Sequence, residues 1–92
     1  MTPMKRCILD GESLADASAV YRALAAAFDA PDYFGNNPDA LWDVLTAYAG
    51  VPVELTWRHS ARSAERLGGD FAKIVTVLRK AAAQGLVTLR LE

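Results

Sequence analysis

Ninety-two residues, 52% apolar and 23% charged, fit one soluble globular domain with a modest core. A single cysteine, Cys7, excludes an intrachain disulfide and a cysteine-based zinc cluster, and no segment approaches the ~20 apolar residues of a membrane span. The formal charge of −1 is unevenly spread. Between Arg22 and Arg58 there is no lysine or arginine, but there are Asp29, Asp32, Asp39, Asp43 and Glu54, while the remainder holds all ten bases and six acids.

The stretch from Met1 to Asp10 lacks the apolar run of a secretion signal, so a cytoplasmic location is expected. Cys7-Ile8-Leu9, closed by Asp10-Gly11, reads as a buried strand and a turn. Ser13 stands three residues before Asp16, the spacing of an N-cap with a supporting acid. Leu14, Ala17, Tyr21, Leu24 and Phe28 then form one stripe on a helix of about 14 residues that ends before Pro31. A turn-rich stretch leads to Asn37, a good N-cap, and to Pro38 at the first helical position, where a missing N–H costs nothing. Leu41, Val44, Leu45 and Tyr48 face inward on this second helix, and Gly50 and Pro52 end it.

Val53 to Trp57 alternates apolar and polar residues, the period of a strand with one better-buried face. Ser60 or Ser63 is placed to cap a short basic helix, broken by Gly68-Gly69. Asp70 is placed to cap a last helix, with Phe71, Ile74, Val75, Leu78 and Ala82 inward and Gly85 as its stop. Leu86 to Leu91 completes the order as a final strand. Helical crossovers between short strands predict an α/β fold with a three-stranded parallel sheet, right-handed connections and helices packed against it, in one domain over residues 1–92.

On the second helix Asp39, Asp43 and Thr46 share the outward side and Trp42 sits on the border. Like charges four apart repel by roughly 0.2–0.5 kcal/mol. With no cation anywhere in the surrounding stretch, an acidic face for a basic partner becomes attractive beside the plainer reading of two solvated acids. Two carboxylates without a third ligand at suitable spacing make no metal site, and neither a phosphate loop nor a nucleophile-and-base pair is present. No enzyme activity, cofactor or metal is expected. His59 reads as a surface loop histidine, Cys7 as a small core residue and Trp57 as core. Tyr33, in a loop where periodic burial does not explain an aromatic, is a candidate interface anchor.

Pro31-Asp32-Tyr33-Phe34-Gly35-Asn36-Asn37-Pro38-Asp39-Ala40-Leu41-Trp42-Asp43 resembles the barstar family, intracellular protein inhibitors of secreted microbial ribonucleases. Ile8 to Glu12 is similar to the family's first strand and turn, Pro52 to Arg58 to its middle strand, and Val75 to Gly85 with the strand after it to its end. The resemblance therefore spans nearly the whole chain. It implies a barstar-like fold and an immunity-type bacterial inhibitor of a cognate ribonuclease, or ribonuclease-like toxin domain, with a basic active site. It also implies that Tyr33 packs on the enzyme rim, that Asn37 caps the helix and borders the contact, and that Asp39 and Trp42 flank the site. Asp43 would occupy a phosphate subsite.

Two departures alter the edges of that contact. Ala47-Tyr48 stands where the family has a glycine followed by tryptophan. Lys80 and Gln84 stand where it has two outward glutamates, a swing of three charge units. Two other readings remain open: a non-inhibitory regulatory module with a basic, non-nuclease partner, and nucleic-acid binding through Arg58, Arg62, Arg66, Lys73 and Lys80. The second is the weaker, since bases on a loop and two helices are commonly a solvated surface, and no direct nucleic-acid or membrane contact is expected.

Overall fold

The structure, a computed structural model, describes residues 5–31, 35–48 and 52–92. Three strands, β1 (Lys5–Asp10), β2 (Val53–Arg58) and β3 (Val87–Leu91), alternate with two pairs of helices. These are α1 (Ala17–Ala27) with α2 (Pro38–Ala47), and α3 (Ser60–Leu67) with α4 (Gly69–Ala83). The strands lie in the order β1-β2-β3 and are all parallel, as the long helical crossovers require.

Register explains the packing. Cys7 pairs with Leu55 and Leu9 with Trp57, while Val87, Leu89 and Leu91 pair with Val53, Leu55 and Trp57. Those residues share one face and join Val20, Tyr21, Leu24, Phe28, Leu41, Val44, Leu45, Ile74, Val75, Leu78 and Ala81 in one apolar cluster. The opposite face carries Arg6, Ile8, Glu54, Thr56, Thr88 and Arg90. Ile8 is 66% exposed, so β1 is buried on one side only, contrary to the expectation from its apolar run. A parallel sheet is usually covered on both faces; here polar residues on the open one make that unnecessary. Cys7 is half-buried, and that burial pushes its thiol pKa up.

The helix ends correct several expectations. Asp16, not Ser13, caps α1: its carboxylate accepts from the Ala19 amide at 2.9 Å, and the helix has 11 residues, with Leu14 before it. The Ser13 hydroxyl instead donates to Asp10, whose other carboxylate oxygen accepts from the Glu12 amide at 3.0 Å. That amide above all, then the Ser13 hydroxyl and the neighbouring His59 and Arg58, holds the Asp10 carboxyl below the usual range. Neither serine caps α3. His59, at φ 54°, precedes it without a side-chain cap, the Ser60 hydroxyl donates to the Glu92 carbonyl, and Ser63 is buried, accepting from Trp57 Nε1 at 2.9 Å. Asp70 lies in the first turn of α4 and caps nothing; Gly68, at φ 57°, separates α3 from α4. Ala81 is fully buried and Ala82 only partly, a small rotation of the expected inner face.

At the far end of α4 the expected glycine stop is present. Gly85 has φ 77°, its amide donates to Ala82 and the Leu86 amide to Ala81, the paired bonds of a Schellman ending. Gly11 is fixed for a different reason. A Cβ there would lie 2.1 Å from the His59 carbonyl, so only glycine lets the end of β1 meet the start of α3. Among the described residues, no helix is long and apolar enough to cross a membrane.

Candidate functional site

The start of α2 is built as its sequence demands. Asn37 Oδ1 accepts from the Ala40 amide at 2.8 Å, the Asn37 carbonyl accepts from Leu41, and Pro38 takes the first helical position. Gly35 leaves space for that cap, since a Cβ on it would stand 2.8 Å from Asn37 Nδ2. Replacing Asn37 by alanine should cost about 1 kcal/mol in denaturant unfolding, the usual loss for a cap, and should fray the turn that positions Asp39.

Leu41, Val44 and Leu45 anchor α2 in the core, which turns Asp39 and Asp43 outward. Both are exposed, and neither carboxylate has an ion-pair or hydrogen-bond partner among the described residues. Thr46 turns its hydroxyl back onto the helix, donating to the Trp42 carbonyl at 2.9 Å and the Asp43 carbonyl at 3.2 Å, so it adds little to the outward face. Trp42 is half-buried between α2 and α4. Lys80 of α4 lies over its indole, 4.5 Å from the ring centroid. Pro38, Asp39, Trp42, Asp43, Val77 and Lys80 together line a shallow groove of about 330 Å³.

The remaining candidates lie around this groove or apart from it. Ala47 is exposed at the end of α2, and Tyr48 is its half-buried C-cap, with its amide donating to Val44. Tyr33 lies outside the described residues. The acidic stretch is also less bare in space than along the chain. Lys5 pairs with Asp29 at 2.5 Å, Glu54 sits beside Arg6 on the open sheet face, and Lys80 reaches the groove. Among the described residues, Asp39 and Asp43 are what remains as an unpaired acidic pair on one helix.

The basic surface is partly committed to holding the fold. Arg66 donates to the carbonyls of Gly11 and Glu12, at 3.3 and 2.9 Å, and Arg62 faces Glu65 at 3.8 Å. One ligand atom each from the exposed Asp10, Glu12 and His59 fall within 4.8 Å of one another, a cluster the spacing in sequence does not reveal. The turn explains it: Asp10 is occupied by Glu12 and Ser13, with Arg58 nearby, while His59 faces the Glu12 carboxylate at 3.7 Å and Arg66 donates to the Glu12 carbonyl.

A family profile described as "Barstar (barnase inhibitor)" matches residues 4–90. The chain is 32% identical over 78 residues to the Bacillus subtilis (strain 168) protein described as "Putative ribonuclease inhibitor YrdF", covering 85% of this chain and 86% of that one.

Proposed function

Since the chain belongs to the barstar family of barnase inhibitors, we propose that it is a cytoplasmic, immunity-type inhibitor of a bacterial ribonuclease, acting by protein contact and not by catalysis. The observation that carries this reading is the pair Asp39 and Asp43, exposed and with carboxylates that have no ion-pair or hydrogen-bond partner among the described residues, on a well-capped helix. A ribonuclease must hold the phosphates of a polyanion, so its cleft presents cations. In the proposed complex the Asp43 carboxylate takes a phosphate's place among them, as a charge-assisted acceptor. Asp39 and Trp42 flank that contact, Asn37 and Tyr33 border it on the loop side, and Ala47, Tyr48 and Lys80 border it on the other. RNA is then excluded by occupation of its site.

The test is RNA cleavage by a panel of purified secreted bacterial ribonucleases, barnase included, titrated with this protein. One-to-one inhibition of at least one enzyme is expected, weakening by roughly tenfold as ionic strength rises from about 0.05 to about 0.5 M. Undiminished cleavage by every enzyme, together with capture of a basic non-nuclease protein from the host, would instead establish the regulatory-module reading.

A further inference from the structure

The groove between α2 and α4 has an acidic lip and a basic one. Asp39 and Asp43 stand on the α2 side, Lys80 on the α4 side, and Trp42 with Val77 forms the apolar surface between them. We propose that Lys80, held on the Trp42 ring, is a specificity residue of this face. It selects a partner whose cationic centre is bordered by a carboxylate at the α4 side, and it opposes one whose positive surface continues across α4. The inference rests on the reading of Asp39 and Asp43 as the inhibitory contact and adds which ribonucleases that contact accepts.

Three features support it. A lysine on an exposed helix face has four rotatable side-chain bonds and ordinarily extends into water. Lys80 instead lies within the distance at which an ammonium is attracted to an indole face, so its charge is localised at the groove. Next, α4 offers nothing to neutralise it: from Ala72 to Ala83 there is no acid, and Lys73, seven residues earlier, adds a second base on the same outer side. Finally, Trp42 directly precedes Asp43, so a protein that covers Asp43 also covers or borders Lys80.

The consequence follows from charge alone. An enzyme cation approaching Asp43 is attracted, whereas a second cation placed over α4 meets Lys80 and loses water without gaining a counter-charge. A carboxylate in that position gains a charge-assisted bond from the Lys80 ammonium. An enzyme arginine also finds this face of Trp42 already occupied by a cation and stacks there only if Lys80 moves away.

The test uses barnase as the probe, since its substrate is RNA and its cleft must be cationic. Inhibition constants are measured across a salt series for the unaltered protein, Lys80→Glu, Arg79→Glu, Asp43→Ala and the Lys80→Glu/Asp43→Ala pair, each checked by thermal melting. Lys80 and Arg79 are both exposed, so these variants should fold. Arg79 adjoins Leu89 and Leu91 in a separate groove and controls for net charge. The expected result is that Lys80→Glu inhibits barnase at least roughly tenfold more tightly than the unaltered protein at low salt, with Arg79→Glu changing inhibition less than about threefold. Equal gains from both reversals, or no gain from Lys80→Glu (including inhibition by neither form), would overturn the proposal. Inhibition abolished by Asp43→Ala but indifferent to Lys80→Glu removes the specificity role alone. A Lys80→Glu gain that survives Asp43→Ala removes the Asp43 reading instead.

Discussion

Asp43→Ala is expected to weaken binding to the inhibited ribonuclease by about 2–4 kcal/mol, roughly 30- to 1,000-fold in Kd. Its effect on folding stability should stay within about 0.5 kcal/mol. The two halves of this prediction come from the same geometry. In the free protein the Asp43 carboxylate is exposed and has no ion-pair or hydrogen-bond partner among the described residues, so truncation removes no such contact there, and it relieves a repulsion with Asp39 of roughly 0.2–0.5 kcal/mol. In the complex the same carboxylate would be desolvated against enzyme cations, and its removal leaves those cations buried without a counter-charge. Titration calorimetry and urea unfolding on one preparation separate the two effects. Unchanged binding would move the contact off α2. A stability loss near the binding loss would mean that Asp43 is a structural acid after all.

Asp39→Ala should behave differently. Asp39 lies in the first turn of α2, where the macrodipole and free amides favour a negative charge by about 0.3–1 kcal/mol. Part of its retention is therefore explained by the helix itself. Asp43 lies beyond that turn and receives little of this benefit.

Local chemistry made much of this fold legible. Asn37-Pro38 marks the start of α2, Gly85 the end of α4, and the alternation of Val53 to Trp57 gives the buried face of β2, each signal completed within a few residues. Where two local solutions compete, sequence could not rank them. Ser13 and Asp16 can both cap a helix, and the choice of Asp16 is settled by Asp10, whose carboxylate engages Ser13 in the preceding turn. Ser63 was a plausible cap because its partner, the Trp57 indole, is met only once α3 folds back over β2.

The candidate site divides along the same line. The outward side of α2 follows from helical period, which places Asp39, Asp43 and Trp42 together. Their electrostatic setting does not follow, because a charge gap along the chain is not a charge gap in space. Lys5 reaches Asp29 across 24 residues, and Lys80 reaches Trp42 from another helix. In sequence Lys80 stands out as one of several bases and through the family resemblance, which together give its position but not its contact with the indole.

The largest stability loss is expected at Trp57. Its side chain is 0% exposed at the end of the central strand, edge-on to Phe71 with ring centroids 5.1 Å apart, and its Nε1–H donates to the buried Ser63 hydroxyl at 2.9 Å. Trp57→Ala should cost about 3–5 kcal/mol through lost burial and the cavity left behind. That is a large share of the roughly 5–15 kcal/mol that typically holds a folded domain together. Melting should fall by at least about 12 °C, since each kcal/mol shifts Tm by some 4–8 °C at this chain length. Ser63→Ala isolates the polar part: it leaves the indole N–H buried without an acceptor, at about 1–3 kcal/mol. Trp57→Phe removes the donor and leaves the serine hydroxyl orphaned instead, so the double variant Trp57→Phe/Ser63→Ala should be less damaged than the sum of the singles, by about 0.5–3 kcal/mol. Additive losses would show that the hydrogen bond is incidental to the packing. None of these changes touches Asp39 or Asp43, so any loss of binding should track the fraction of folded protein and vanish where folding is complete. The opposite pattern, weak binding by a fully folded Trp57 variant, would mean that the core residue positions the α2–α4 groove through Phe71 and α4.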